Sequence, residues 1–258
     1  MGKRPDNYHQ IRSIFSEIDL YDEMNFALLE REEIKVNSSI AIGKLEDNTV
    51  YRVAKLMQDR FDIDKGIEIE IIKRIPLSAG LGGGSSNAAT AIKALSRLWS
   101  LNMKNEDMES LAAETGSDIN FFLYGGTALG EGRGEIVKVI DPIDLDMILL
   151  VKPKYGISSS DAYRWLTEYG NNDNWEKLIE TKDPACCFNR LESTIRTKFP
   201  EIDGLIRHLK SNGARQAILS GSGSTVIGFY DDRQIFDDHF NYYKEKGFWC
   251  YQTKTKRS

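Results

Sequence analysis

Apolar and charged residues alternate along Ile67-Glu68-Ile69-Glu70-Ile71, the two-residue period of a strand with one buried face. Pro76 closes that segment, because a proline nitrogen has no hydrogen to give to a ladder. From about Ser86 the period lengthens, and Ala88, Ile92, Leu95 and Trp99 recur on one face of a helix. A second amphipathic helix fits Asn105 to Thr115 and stops at Gly116. Between strand and first helix lies Ser78-Ala79-Gly80-Leu81-Gly82-Gly83-Gly84-Ser85-Ser86-Asn87. The order is therefore strand, glycine loop, helix.

A second half begins near Asp141-Pro142, which divides the chain into residues 1–140 and 141–258. Met147-Ile148-Leu149-Leu150-Val151 is a continuous apolar run, as a strand buried on both faces would have. Helical patterns follow over Ser160 to Tyr169, Trp175 to Thr181 and Ile202 to Asn212. Gln216 to Leu219 then leads into a second small-residue loop, Ser220-Gly221-Ser222-Gly223-Ser224, and out into the apolar run Thr225 to Tyr230. This predicts strand, loop, strand, then a last helix near Asp232 to Lys246 and a short closing strand. There is no internal repeat.

Composition narrows the function classes. A net charge of −5 argues against nucleic-acid binding, which favours a basic field; the tail Lys254-Thr255-Lys256-Arg257 is read as a solvated terminus. No run of eighteen apolar residues is present and no apolar segment follows the basic Lys3-Arg4, so neither a membrane span nor a secretory leader is expected. Cys186, Cys187 and Cys250 lack metal-ligand spacing and read as buried free thiols of a cytoplasmic protein.

The glycine loop carries the chemistry. Glycines permit positive φ and close approach to a ligand, while the helix start behind them offers free N–H groups and a partial positive charge. Ser85, Ser86 and Asn87 place short polar side chains there; a capped flexible loop would need fewer than the four glycines at 80, 82, 83 and 84. No lysine follows, so this is not a Walker A loop, and Ser85 stands where the dinucleotide fingerprint needs its last glycine.

Pro76-Leu77-Ser78-Ala79-Gly80-Leu81-Gly82-Gly83-Gly84-Ser85-Ser86-Asn87-Ala88-Ala89 resembles the nucleotide-binding motif of the GHMP kinases, in the form found among those acting on a diphosphocytidyl-linked methylerythritol. Further segments are similar in order: Gly2 to His9; Asp47-Asn48-Thr49, associated in the family with adenine; Gly116-Ser117-Asp118-Ile119-Asn120-Phe121-Phe122; Gly130 to Glu135; and Leu219 to Val226. The resemblance implies an α+β protein with the two-domain GHMP kinase fold, an N-terminal half like domain 2 of ribosomal protein S5 and a ferredoxin-like C-terminal half. It implies ATP as phosphoryl donor, wrapped by Gly80, Gly82, Gly83, Gly84, Ser85, Ser86 and Asn87, with Asn48 near adenine. Mg²⁺ is expected, held by Ser85 or by phosphates and water alone. Asp118 takes the catalytic-base position of the family; from the residues alone it could equally cap the following helix.

The implied substrate is a small molecule, cytidine diphosphate-linked methylerythritol, phosphorylated at its 2-hydroxyl. Tyr8 and His9 offer an aromatic face and a donor–acceptor ring for the base, and Tyr163 is implied as the opposite wall. Gly221, Ser222 and Gly223 form the substrate-side loop. Lys73 can reach a nucleotide or remain solvated. His208 and His239 are read as structural. Another GHMP kinase of homoserine or mevalonate type, and a non-catalytic nucleotide-binding homologue, are the competing readings; no nucleic-acid or membrane partner is expected, and the assembly is a monomer or weak homodimer. Family members carry a Pro-Ala-Lys-Ile-Asn-Leu strand just before the segment that opens this chain, and its lysine lies beside the catalytic aspartate. The expectation is a true start further upstream; a chain without that lysine is expected to be weakly active or inactive. Asn7, Thr49 and Ile119-Asn120 are smaller departures from the pattern.

Overall fold

Strand β4 (Gly66–Ile72) is the middle strand of a three-stranded sheet, antiparallel to β2 (Glu23–Leu29) and parallel to β3 (Ile34–Ser38). Its alternation works as the sequence implies. Ile67, Ile69 and Ile71 are buried against helices, while Glu68 and Glu70 on the other face accept hydrogen bonds from Asn37 and Asn25 of the neighbouring strands at 3.1 and 3.2 Å. The structure, a computed structural model, describes residues 2, 4, 8–166 and 174–256.

The helices on the buried face are α1 (Thr49–Arg60), α2 (Gly83–Leu98), α3 (Asn105–Thr115) and α4 (Ile119–Tyr124). Val53, Met57, Ile92, Leu95, Leu111 and Ile119 interlock with the isoleucines of β4 in one core. Each fully buried aliphatic side chain there contributes about 1.5–3 kcal/mol. A second three-stranded sheet orders β1 (Ile11–Ser16), β5 (Thr127–Gly132) and β6 (Ile136–Val139), all antiparallel.

The C-terminal half is a four-stranded antiparallel sheet in the order β10-β7-β9-β8, formed by β7 (Ile148–Lys152), β8 (Gln216–Leu219), β9 (Val226–Phe229) and β10 (Trp249–Thr253). In chain order that is 4-1-3-2, the ferredoxin-like arrangement. One connection carries α5 (Ser159–Trp165), α6 (Asn174–Thr181), α7 (Glu192–Lys198) and α8 (Pro200–Ser211); the other carries α9 (Arg233–Glu245). β7 has two buried faces. Leu149 and Val151 enter the core under α8 and α9, whereas Ile148 and Leu150 join Leu20, Ile75, Ile218 and Phe229 in a third cluster shared with the N-terminal half. No described helix is long and apolar enough to cross a membrane.

Two expectations are corrected in detail. Helix α2 starts at Gly83 rather than near Ser86, so Gly83 and Gly84 lie in its first turn. α3 spans Asn105–Thr115 and stops at Gly116 as expected, although through extended backbone (φ −172°) rather than a left-handed turn. The three thiols are half-buried rather than buried. Positions 167–169 of the helix expected over Ser160 to Tyr169 lie outside the described residues.

Candidate active site

The glycine loop joins β4 to α2 and turns on three left-handed residues, Ser78 (φ +49°), Gly80 (φ +71°) and Gly82 (φ +65°). Neither glycine site has room for a side chain. A Cβ on Gly80 would sit 2.1 Å from the Ser220 carbonyl oxygen, and one on Gly82 would sit 2.7 Å from the ring of Phe122. Gly82 is the N-cap of α2, and the first bond of the helix runs from Ser86 N–H to its carbonyl at 2.8 Å. The N–H groups of Gly83, Gly84 and Ser85 are thus left without helical acceptors, aimed out of the helix start. Gly84 is open apart from Thr49 Oγ1, 3.8 Å from its would-be Cβ, so the N-terminus of α1 arrives beside that of α2. Ser85 and Ser86 are half-buried there.

Asn87, Lys73 and Asn48 do different work in the fold. Asn87 is buried and donates to Asp22 at 2.9 Å. Lys73 is neither solvated nor turned outward: its ammonium donates to Asp22, with 5% of the lysine side chain and none of the aspartate exposed. Asp22 also accepts from Arg74 N–H at 2.7 Å and Ile75 N–H at 2.8 Å. Burial opposes ionisation of Asp22, but the four hydrogen bonds outweigh it and hold the carboxyl below its ordinary range. This cluster braces the loop from below, with the Lys73 ammonium 3.3 Å from the Cβ position of Gly83. Asn48 caps α1 through Oδ1, which accepts from Val50 N–H at 2.8 Å and Tyr51 N–H at 3.4 Å.

The second glycine loop, between β8 and β9, leans directly on the first. Ser220 Oγ donates to the Gly80 carbonyl at 2.8 Å, and Thr225 N–H donates to the Ala79 carbonyl at 3.2 Å. Gly221 and Gly223 take φ +50° and +84°. Ser222 is buried, and its hydroxyl bonds that of Ser159 at 3.0 Å, at the first residue of α5.

Asp118 stands just before α4, yet its side chain makes no capping bond, so the capping alternative is not what the structure shows. Asp118 is exposed to solvent, yet the protein atoms packed around its carboxyl partly desolvate it. That crowding raises its pKa above the ordinary value, and among the described residues no cation offsets it. Its neighbour is Tyr163 of α5. Burial first, and then the Asp118 charge, push the phenol up to about 12. Tyr163 stacks on His9, with centroids 5.1 Å apart and planes 25° from parallel. At that spacing there is no room for a base between these two rings. Tyr8 is half exposed, and the guanidinium of Arg133 lies 4.7 Å from its ring centroid.

These contacts close a ring. The first loop touches the second through Gly80 and Ser220, and the second reaches α5 through Ser222 and Ser159. Tyr163 on α5 feels the charge of Asp118, and α4, which follows Asp118, returns to the first loop through Phe122 and Gly82. The structure therefore brings together the two loops, Asp118, Tyr163, His9 and the start of α2. The Lys73 ammonium and the Asn87 amide are both engaged by Asp22. Asp22, Ser220, Arg133 and Gly134 were not singled out from the sequence. Asp22 alone had no signal there; Ser220 lay within the segment Leu219 to Val226, and Arg133 and Gly134 within Gly130 to Glu135.

Residues 48–126 match the family model described as the GHMP kinases N terminal domain, and residues 166–242 match that of GHMP kinases C terminal. The 4-diphosphocytidyl-2-C-methyl-D-erythritol kinase of Bacillus pumilus is 41% identical over 88% of this chain and 82% of its own length. The enzyme of that name from Thermodesulfovibrio yellowstonii is 39% identical over 99% of this chain and 92% of its own. A crystal structure of 4-(cytidine 5'-diphospho)-2C-methyl-D-erythritol kinase superposes with a TM-score of 0.82 at 26% identity, covering 99% of this chain and 94% of the other. Homoserine kinase from Cytophaga hutchinsonii shares the fold, with a TM-score of 0.72 at 18% identity over 96% and 94% of the two chains. With both halves matched and both loops in place, the chain belongs to the GHMP kinase family, in the group formed by the 4-diphosphocytidyl-2-C-methyl-D-erythritol kinases.

Proposed function

We propose that this small-molecule kinase transfers the γ-phosphoryl group of ATP to the 2-hydroxyl of 4-diphosphocytidyl-2-C-methyl-D-erythritol. One juxtaposition carries the reading: the Asp118 charge is felt by Tyr163, which stacks on His9, so an aromatic wall for a base stands within electrostatic reach of a proton acceptor. The 41% identity to an enzyme of that name supports it. Homoserine and mevalonate carry no base for such a wall to hold.

The residues divide the work. The free N–H groups at the start of α2 take the phosphate oxygens of the donor, as helix starts take anions. Asp118, raised above the ordinary carboxyl range, accepts the hydroxyl proton more readily than a solvated aspartate would. The cytosine ring lies against Tyr8, with the His9–Tyr163 stack as the adjoining wall, and the Gly221 to Gly223 loop faces the rest of the substrate. The nucleotide half spans 1–140 and the other 141–258. When bound, Mg²⁺ neutralises charge between the phosphates. The half-buried Ser85 hydroxyl at the start of α2 would supply one oxygen ligand to an ion that phosphates and water otherwise hold.

The test is ADP release with ATP and Mg²⁺ against three acceptors. Release dependent on the cytidine substrate, absent with homoserine and mevalonate, is the expected result. Release with either of the latter at a comparable rate would overturn the assignment.

A further inference from the structure

The β5–β6 turn touches both the proposed base wall and the proposed base, although it belongs to neither loop. Arg133 holds its guanidinium 4.7 Å from the Tyr8 ring centroid. The group is fixed from behind: Nη2 donates to the Ala113 carbonyl at the end of α3 at 3.1 Å, and Nε lies 3.7 Å from the Glu135 carboxylate. The Arg133 backbone N–H donates to the same carboxylate, and the Glu135 carbonyl accepts from Asn120 of α4 at 2.8 Å. The next residue, Gly134, adopts φ +122°, and a Cβ there would sit 2.9 Å from Asp118 Oδ1 and 3.5 Å from the Ser117 carbonyl. Two consecutive residues of one anchored turn thus meet the aromatic ring and the carboxylate.

We propose that this turn positions the two ends of the substrate site in one frame, with Arg133 setting the Tyr8 ring and Gly134 leaving the space that fixes the Asp118 carboxylate. The inference rests on the reading of Tyr8 as a base wall and Asp118 as the proton acceptor. Arg133 acts as a positioning residue. Its hydrogen bonds and charge are spent on Ala113, Glu135 and the face of Tyr8, and a cation over one ring face holds that ring in place. Gly134 acts by absence, since any side chain at that position both strains the backbone and displaces Oδ1.

The signature is a split between neighbouring residues. Arg133→Met is expected to raise KM for the cytidine substrate about five- to tenfold, the scale of a lost cation–π contact, with KM for ATP changed by less than about twofold. Arg133→Lys restores part of the loss. Gly134→Ala is expected to lower kcat about tenfold or more, with both KM values nearly unmoved. Should Arg133→Met unfold, Arg133→Gln, which keeps a donor for the Ala113 carbonyl and drops the charge, carries the same test. Equal effects of Arg133→Met on the KM of both substrates, or the same parameter moving at both residues, would overturn the proposal. Tyr8→Leu separates the layers. If it raises KM for the cytidine substrate while Arg133→Met does not, the positioning inference falls alone; if it changes nothing, the base-wall reading falls and takes the inference with it.

Discussion

The hydroxyl of Ser220 donates to the carbonyl of Gly80 at 2.8 Å, so the two glycine loops, 140 positions apart, are a single piece of backbone architecture. The contact explains why Gly80 is glycine. Its left-handed φ and the Ser220 carbonyl, 2.1 Å from a would-be Cβ, both forbid a side chain.

Gly80→Ala is therefore expected to destabilise the fold by about 1–3 kcal/mol and to weaken nucleotide binding at the same time. Ser220→Ala, which deletes one hydrogen bond and no backbone contact, is expected to cost about 1 kcal/mol. Urea unfolding with and without ATP checks both, and a Gly80→Ala protein of parental stability would contradict the packing.

Replacing Asp118 by asparagine is expected to lower kcat by about 10²- to 10⁴-fold. The same change is expected to raise the melting temperature slightly at neutral pH. The folded carboxyl has a raised pKa, so its contribution to stability is full below the unfolded value of 3.8 and is lost as pH rises through the folded one. At pH 7 the native protein carries a crowded charge that the variant lacks. Melting curves at pH 7 and pH 3.5 check the sign: the variant's advantage shrinks at the lower pH.

Lys73→Met leaves Asp22 buried without its cation and is expected to cost about 3–5 kcal/mol. The pair shows the opposite pH dependence from Asp118. Asp22 is held below 3.8, so its contribution is present above that pH and is lost as pH falls through the folded value. The stability gap between parent and Lys73→Met accordingly narrows in acid. Adding Asp22→Leu to Lys73→Met is expected to recover part of the loss, which a double-mutant cycle measures.

His239 of α9 is buried and accepts or donates through Nδ1 with the Tyr230 hydroxyl at 2.8 Å. Burial first, and then His208 at 5.6 Å between centroids, lower its pKa below 6.5; Asp238 opposes the shift. A depressed histidine stabilises the native state above the unfolded pKa and loses that contribution as pH falls through the folded one. Stability to urea is expected to decline from pH 7 to pH 5, and His239→Gln is expected to flatten the decline.

Much of the helix–strand order could be read in advance where periodicity was strong, as at β4, α3 and the sequence from β8 to β10. β1, β5 and β6 are short and mix polar and small residues, so neither period stands out over four to six positions. α1 has a clear apolar face at Val50, Val53, Ala54 and Met57, but Asn48 resembles part of an adenine motif and so masks the cap it forms. The glycine loops were legible because left-handed backbone and close approach favour glycine, although Ser78 in the first loop is left-handed as well. Asp22 was not, since a buried carboxylate is recognised by donors that arrive from residues 73, 74, 75 and 87, and nothing in its own neighbourhood announces them. The direct stacking of His9 on Tyr163 was equally invisible, because it depends on how α5 docks.

β7 sends alternate residues into two different cores, one of which includes Leu20 and Ile75 from the other half. A chain built this way has no fault line along which one lobe can melt while the other survives. Heating should produce one calorimetric peak, and cutting the polypeptide near residue 140 should leave two fragments that each expose a greasy seam and find order only in each other's company.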